Sequence, residues 1–196
     1  LHRLINSWQP DHVFFSAGKD AVLPLASTVF FSGVPFPMLS KNEQIIGLRS
    51  KLVITNDPTH AQVWLQRGAS RAICLPISAA DPLIHSAGKS VARLTSDVCF
   101  IGSLSTDRQL QLKQLLPLRI NLKIWGPLLP HQPLLPDLQQ VYYGEAWGKR
   151  VSDIFRSTKI ALNFVPSHMP TGGNLRTFEI PGCGAFQLAS RSHPDW

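Results

Sequence analysis

Short apolar runs rich in β-branched and aromatic residues alternate with helical stretches along this chain, and this alternation constrains the fold most. "DHVFFSA" (11–17) and "KLVITND" (51–57) each predict a buried strand. After the second comes "PTHAQVWLQRG", a predicted helix with Pro58 in its first turn and Gly68 at its end. "RAICLPIS" (71–78) predicts the next strand. Strand–helix–strand order is typical of a parallel sheet, so the sequence predicts an α/β fold.

A second α/β series follows a long polar stretch, "ADPLIHSAGKSVARLTS" (80–96), which is the best candidate for a domain crossing. We therefore expect one α/β domain over residues 1–88 and a second one over 89–196. "VPFPMLS" (34–40) is interpreted as a further strand of the first half, although it contains prolines. The predicted strands of the second half are "DVCFIGSLS", "INLKIWG", "IALNFVP" and "AFQLAS", and its predicted helices are "TDRQLQLKQLLPL", "WGKRVSDIFRSTK" and "NLRTFEIPGCG".

Composition and charge narrow the functions that fit the chain. Hydrophobic residues make up 44% of its 196 residues, which is typical of a globular protein, and no apolar run reaches the roughly 18 residues of a membrane span. The net charge of +7 favours anionic partners, but no arginine-rich run or zinc-finger spacing indicates nucleic-acid binding. The three cysteines lie far apart, so they predict buried thiols in a reducing, cytoplasmic location and no metal site.

Glu179 is the one carboxylate in the apolar, glycine-rich stretch "NLRTFEIPGCGAF". If Asn174 caps a helix, Leu175, Phe178 and Glu179 share one face, with the two apolar side chains pointing inward. A carboxylate at the edge of a buried stripe needs partners. Two interpretations stay open: an ordinary surface pair with Arg176, or acceptance of hydrogen bonds from the vicinal hydroxyls of a bound sugar.

Gly172 and Gly173 precede this helix, so their backbone N–H groups can approach a ligand without a side chain in the way. A helix start also attracts anions, which makes Asn174 and Arg176 further candidates for binding an anionic ligand. His168 lies just before the glycines and is a candidate for phosphate contact or proton transfer, the alternative being a solvated loop histidine.

The loop "FIGSLSTDR" adds Gly102, Ser103 and Arg108 at the end of the first strand of the second half. Ligands collect at the carboxyl edge of open α/β sheets, and an arginine in a first helical turn opposes the helix dipole unless it meets an anion. The loop lacks G-x-G-x-x-G and the Walker pattern, so a plain strand–helix turn stays open. Trp125, at the next strand end, is a candidate for stacking on a base or a core residue. Asp57 and His60 end a strand of the first half and are additional candidates.

These residues resemble a known family. The stretch from "DVCFIGSLSTDR" to "GAFQLAS", and most specifically "LRTFEIPGCGAFQL", "FIGSLS" and "KIALNF", is similar to the spore-maturation-protein type of group 1 glycosyltransferases. The resemblance covers about the last hundred residues, and "LVITNDPTHAQVWLQRGASRAICLPISAADP" resembles the end of that family's first domain. It implies a GT-B fold, in which two Rossmann-like domains face each other across a cleft.

The resemblance also implies a function. In such enzymes the second domain binds a nucleotide-sugar donor, here UDP- or GDP-linked, without a metal or other cofactor. The acid that matches Glu179 is the later member of an E-x7-E pair and holds the donor ribose, while the loop at Gly102 lies by the diphosphate. Thr171 stands at the earlier position of the pair, which puts the sugar-contacting role in doubt. The acceptor, whether a glycan, a protein or a small molecule, is not indicated.

Two alternatives to a glycosyltransferase stay open. The first is a catalytically inactive GT-B-like module that binds a nucleotide or glycan. The second is a nicotinamide-dependent oxidoreductase, which "FIGSLS" argues against because it lacks the glycine fingerprint. The chain opens on Leu1 and stops just after a predicted strand, so we expect it to be truncated at both ends.

Overall fold

The chain folds into two compact units. The computed structural model describes residues 13–16, 28–75, 80–166, 168–169 and 171–190. Up to residue 77 the described residues belong to the first unit, together with those of 166–173, and the others belong to the second unit. The domain boundary that the sequence predicts after residue 88 stays a prediction.

The first unit is a parallel sheet with two described helices. Its elements are β1 (Val13–Ser16), β2 (Thr28–Ser32), α1 (Lys41–Arg49), β3 (Leu52–Thr55), α2 (Pro58–Gln66) and β4 (Ala72–Cys74). The strands lie in the order β1-β2-β3-β4, and all their pairings are parallel. Each described strand therefore lies beside the one before it in the chain, without a reversal of order.

One predicted strand of this unit is wrong. "VPFPMLS" forms a 3-10 turn over Phe36–Met38, with Pro35 at its start, because proline has no N–H to donate to a strand ladder. Helix α1 then begins after Ser40, whose hydroxyl accepts a hydrogen bond from the Glu43 N–H while the Glu43 carboxylate accepts one from the Ser40 N–H. This capping box is a sequence signal that the strand interpretation missed.

Trp64 is the centre of the first unit's core and is fully buried. Its ring lies 4.7 Å from that of Phe36 and 5.7 Å from that of Phe30, both edge-on. Helix α1 approaches it closely at Gly47, where a Cβ atom would lie 2.3 Å from the tryptophan ring. Aromatic burial of this extent is a large hydrophobic contribution to the stability of the unit.

The second unit contains every strand and helix predicted for the second half. Its elements are β5 (Ser96–Ile101), α3 (Thr106–Lys113), β6 (Leu122–Trp125), α4 (Lys149–Phe155), β7 (Thr158–Asn163), α5 (Arg176–Gly182) and β8 (Phe186–Ala189). The sheet is parallel throughout, in the order β6-β5-β7-β8. Val98 of β5 pairs with Leu122 on one side and Ile160 on the other. The mixed α/β class with parallel sheets is thus confirmed.

Apolar side chains cover both faces of this second sheet. Along β5, Val98 and Phe100 enter one cluster with Leu112 of α3, whereas Cys99 and Ile101 enter the other. Burial on both faces is what strands of parallel sheets require. Burial also raises the pKa of the Cys99 thiol to about 12, so this side chain acts as a small apolar residue.

The leucines of α3 do not all face the core. Leu112 is fully buried, but Leu110 is half exposed and Gln109 is buried in its place. The Gln109 amide donates to the carbonyls of Leu104 and Pro133 and accepts from the Leu135 N–H. A buried polar side chain with these partners ties the helix to two loops, which an apolar periodicity does not reveal.

Two further findings concern the cysteines and membranes. Cys74, Cys99 and Cys183 are all free, with Cys99 and Cys183 buried and Cys74 half-buried. Within the described parts of the chain, no helix combines the length and the apolar character needed to cross a membrane.

Candidate functional site

The order of strands in the second sheet reverses between β5 and β7. The chain passes from β5 through α3 to β6 on one side, and then returns to place β7 on the other side of β5. In open parallel sheets, ligands bind at the carboxyl ends of the strands where the order reverses. The loops after β5 and β7 are therefore where this fold favours a ligand.

The loops after β5 and β6 touch through their backbones. The Gly102 N–H donates to the Trp125 carbonyl at 3.1 Å. Gly126 has a φ of 143°, and a Cβ atom there would lie 1.9 Å from the Gly102 carbonyl oxygen. Glycine at 126 is therefore needed for the two loops to meet at this edge of the sheet.

Arg108 lies in the first turn of α3 and reaches across the point of reversal. Its guanidinium donates to the Ser103 carbonyl after β5 and to the Phe164 carbonyl after β7, each at 3.0 Å. Burial lowers the pKa of Arg108, and the positive charge of Arg176 lowers it further. Two partly buried cations thus lie close enough to repel each other at one edge of the sheet.

Arg176 approaches the same edge from α5. Its Nε donates to the Ile101 carbonyl at 3.1 Å, at the last residue of β5, and its guanidinium lies over the Phe155 ring. It also forms an ion pair with Glu179, one turn further along the helix. The predicted partner is thus present, but the pair is not on the surface, since Glu179 is only 9% exposed.

His85 is a neighbour of Glu179 that sequence reasoning missed. Its Nε2 lies 3.6 Å from Glu179 Oε1, and its buried Nδ1 has no hydrogen-bond partner among the described residues. The carboxylate therefore faces Arg176 through one oxygen and an imidazole through the other. His85 lies in a polar stretch without periodicity, so no sequence pattern links it to α5.

Asn174 connects the end of β7 to the first turn of α5. Its side-chain NH2 donates to Asn163 Oδ1 at 2.8 Å, and its Oδ1 accepts from the Thr177 N–H at 3.3 Å. It thus satisfies a helix N–H as a capping residue does, as the sequence suggested. The predicted orientation of Leu175 is wrong, however, because that side chain is half exposed and Ile180 provides the buried apolar contact.

Trp125 lies inside the core of the second unit. The side chain is fully buried, and its ring lies 5.5 Å from that of Tyr143. The ring therefore has no open face for a base in this structure, which matches the core interpretation. Ser103 is half-buried, and its backbone carbonyl holds Arg108.

The glycine turn predicted to bind an anion belongs to the first unit, where it does bind a carboxylate of the chain itself. The N–H groups of Thr171 and Gly172 donate to one oxygen of Asp57, at 2.9 and 2.7 Å. The Thr171 hydroxyl and the Thr59 N–H donate to the other oxygen, at 2.7 and 2.8 Å. Gly173, the last residue of this segment, is half-buried.

Two more contacts hold this segment to the carboxyl end of β3. His60 Nε2 lies 2.8 Å from the His168 carbonyl, and the Asn56 side chain donates to the Met169 sulfur. Asn56, Asp57 and His60 therefore all bind residues of 168–172. The candidate residues Gly172, Gly173 and His168 therefore belong to the first unit.

No group of three or more His, Cys, Asp or Glu side chains that could hold a metal ion occurs among the residues whose placement is described.

One of three comparisons with known proteins found a match. Residues 108–196 match the model of a family described as glycosyl transferase-like. Neither the search of curated proteins nor that of solved structures found a match. The matched stretch begins at Arg108 and includes Arg176 and Glu179. The match supports a glycosyltransferase family and a general glycosyl transfer function, with which the parallel α/β fold is consistent.

Proposed function

We propose that this chain transfers a sugar from a nucleotide-diphosphate donor, UDP- or GDP-linked, to an acceptor hydroxyl. In this proposal the two units correspond to the two Rossmann-like domains of a GT-B glycosyltransferase of the spore-maturation type, and the second carries the donor site. The observation that carries the proposal is the convergence of Arg108, Arg176 and Glu179 at the β5–β7 edge, within or at the start of the stretch that matches the glycosyl transferase-like family.

Each of these side chains has a role that its chemistry suits. Glu179 accepts hydrogen bonds from the two ribose hydroxyls, for which a carboxylate has two oxygens. Arg108 and Arg176 balance the charge of the diphosphate, which guanidinium groups bind well because of their fixed, forked donors. The Gly102–Ser103 loop lies beside Arg108, whose guanidinium donates to the Ser103 carbonyl.

The reaction is a displacement at the anomeric carbon. The acceptor oxygen forms a bond to that carbon, the bond from the carbon to the diphosphate oxygen breaks, and the nucleoside diphosphate leaves with the electron pair. The acceptor proton passes to a base, for which His168 is the candidate that the sequence offers. The chain contributes most by stabilising the charge that grows on the leaving diphosphate, and two arginines supply that stabilisation without a metal.

A cytoplasmic location is part of the proposal. Its support is chemical: the three cysteines are free, and two of them are buried as apolar side chains.

The test is direct. The full chain is titrated by calorimetry with UDP and GDP, and then incubated with UDP-glucose and GDP-mannose while released nucleoside diphosphate is measured. We expect one of the two nucleotides to bind and the matching sugar donor to be hydrolysed slowly or transferred. The absence of binding by both nucleotides contradicts the proposal.

A second candidate function is a GT-B-like module that binds a nucleotide without turnover. Thr171 favours it, because this residue replaces an acid and its hydroxyl is held by Asp57. Nucleotide binding without any release of nucleoside diphosphate from sugar donors, over a broad set of acceptors, is the outcome that distinguishes this module from an enzyme.

A further inference from the structure

We propose that Arg176 determines the specificity of this site: by pairing with Glu179 in the free protein, it makes ribose binding depend on the phosphate groups, so that the site takes nucleoside diphosphates and rejects the matching nucleosides. The inference rests on the proposed function, since it concerns the same ligand.

The first observation is that Glu179 is closed to a ligand. Its side chain is 12% exposed, Arg176 binds one of its oxygens, and His85 Nε2 faces the other at 3.6 Å. A ribose that is to donate two hydrogen bonds to this carboxylate has to replace the guanidinium on it. Removing a partner from a buried carboxylate is costly unless new donors arrive at the same time.

The second observation is that the guanidinium of Arg176 needs an anion. Its side chain is 24% exposed and stays anchored by Nε to the Ile101 carbonyl, so it cannot move far into water. Arg108 binds near the same strand end, at the Ser103 carbonyl, and its pKa is lowered by burial and by the charge of Arg176. No carboxylate lies within 4 Å of Arg108 among the described residues. If Arg176 leaves Glu179 with no anion to receive it, two neighbouring cations stand unbalanced at the edge of the sheet.

These two observations predict different binding for nucleoside diphosphates and nucleosides. A nucleoside diphosphate replaces both partners of the ion pair: Arg176 donates hydrogen bonds to the phosphates, and the ribose hydroxyls donate hydrogen bonds to Glu179. A nucleoside brings only the second, so it leaves a partly buried cation without a partner. The ion pair therefore opposes nucleosides and is exchanged, rather than lost, when a diphosphate binds.

Substitution of Arg176 tests this on the full chain. Calorimetry compares uridine with UDP, and guanosine with GDP, for the native chain and for Arg176→Ala. We expect the variant to weaken diphosphate binding by about tenfold or more, since a charged hydrogen-bond partner is lost, and to tighten nucleoside binding by about fivefold or more. Arg150→Ala is the matched control, because it removes the same charge from an exposed position on α4 and should change neither.

The native chain provides a second measurement that needs no variant. If phosphates free Glu179 from Arg176, inorganic pyrophosphate should tighten binding of the correct nucleoside by about fivefold or more, and by linkage the nucleoside should tighten pyrophosphate binding equally. This measurement decides the question even if Arg176→Ala does not fold.

The outcomes separate the two proposals. If neither UDP nor GDP binds the native chain, the proposed function fails and this inference fails with it. If a diphosphate binds, the specificity role alone is overturned by either of two results: nucleoside binding to Arg176→Ala that is weakened or still undetectable, or pyrophosphate that leaves nucleoside binding unchanged or weakens it.

Discussion

Each unit of the chain places a carboxylate near the carboxyl edge of a parallel sheet, and the two carboxylates are held in different ways. Asp57, after β3, is fully buried and accepts five hydrogen bonds from Thr59, Thr171 and Gly172. Glu179, on α5, is also buried but is held by a side-chain cation, Arg176. The first has three backbone N–H groups and two hydroxyls as donors, whereas the second is held by a charged side chain.

The two sheets also differ in the order of their strands. Strand order runs without reversal through the described strands of the first sheet, whereas it reverses between β5 and β7 in the second. Among the described strands, a reversal of the kind at which ligands collect thus occurs in the second sheet and not in the first. The comparison teaches that a buried acid beside a turn is not by itself a ligand site: Asp57 is a structural anchor, and Glu179 is the candidate for binding.

The largest expected effect is at Asp57. In Asp57→Asn the side chain presents an NH2 group to donors that need an acceptor, so we expect the free energy of unfolding to fall by about 2–4 kcal/mol. Urea denaturation followed by circular dichroism measures it. Asp81→Asn is a matched control at an exposed position, where the carboxylate accepts a hydrogen bond from the Leu83 N–H. Equal losses in both variants would mean that Asp57 is not a special anchor.

A smaller effect is expected on binding at Glu179. Glu179→Gln keeps the shape of the side chain but loses the charge, so donor affinity should fall by about 1–3 kcal/mol while the fold survives. Calorimetry with UDP or GDP measures it. Glu145→Gln is the matched control, since Glu145 is exposed and pairs with Trp147. Unchanged nucleotide binding by Glu179→Gln would refute the ribose role.

Acid should weaken the fold through Asp57. Burial raises the pKa of Asp57, but the hydrogen bonds from Thr59, Thr171 and Gly172 outweigh it and hold the pKa well below its ordinary value. As the pH falls, Asp57 is therefore protonated in the unfolded chain before it is protonated in the folded chain. The stabilisation by its carboxylate is complete above the ordinary pKa of about 3.9 and is lost as the pH falls below that value.

The expected contribution of Asp57 to this acid slope is up to about 1.4 kcal/mol of unfolding free energy per pH unit. Denaturation curves between about pH 5 and pH 2.5, for the native chain and Asp57→Asn, measure it. The variant should show a shallower decline than the native chain, and parallel curves would show that Asp57 does not titrate as described.

The smallest effect is expected from an exposed ion pair. Lys113 and Asp137 pair with both side chains half exposed, so a double-mutant cycle of Lys113→Ala and Asp137→Ala should give a coupling of less than about 1 kcal/mol. A coupling energy as large as the loss of unfolding free energy in Asp57→Asn would mean that buried and exposed carboxylates stabilise this chain equally.

Much of the second unit could be predicted from the sequence, because its strands are short apolar runs and the more polar stretches between them form its helices. The failures have physical causes. The strand at 34–40 was wrong because proline outweighs apolar content, and Gln109 was missed because its buried amide has partners far away in the chain.

The residues of the candidate site stay a prediction, and the contacts between them could not be read from the sequence. Arg108, Arg176 and Glu179 stand out by type and place in the sequence. Nothing in the sequence shows that Gly172 serves Asp57, or that His85 faces Glu179, because each contact joins residues that are distant along the chain and follow no periodicity.

The most direct test of the account is a crystal structure of the full chain with bound UDP or GDP. We expect the ribose hydroxyls within hydrogen-bond distance of the Glu179 carboxylate, the phosphates beside Arg108 and Arg176, and the contact between Arg176 and Glu179 opened. A nucleotide bound elsewhere, with that ion pair still closed, would contradict the account.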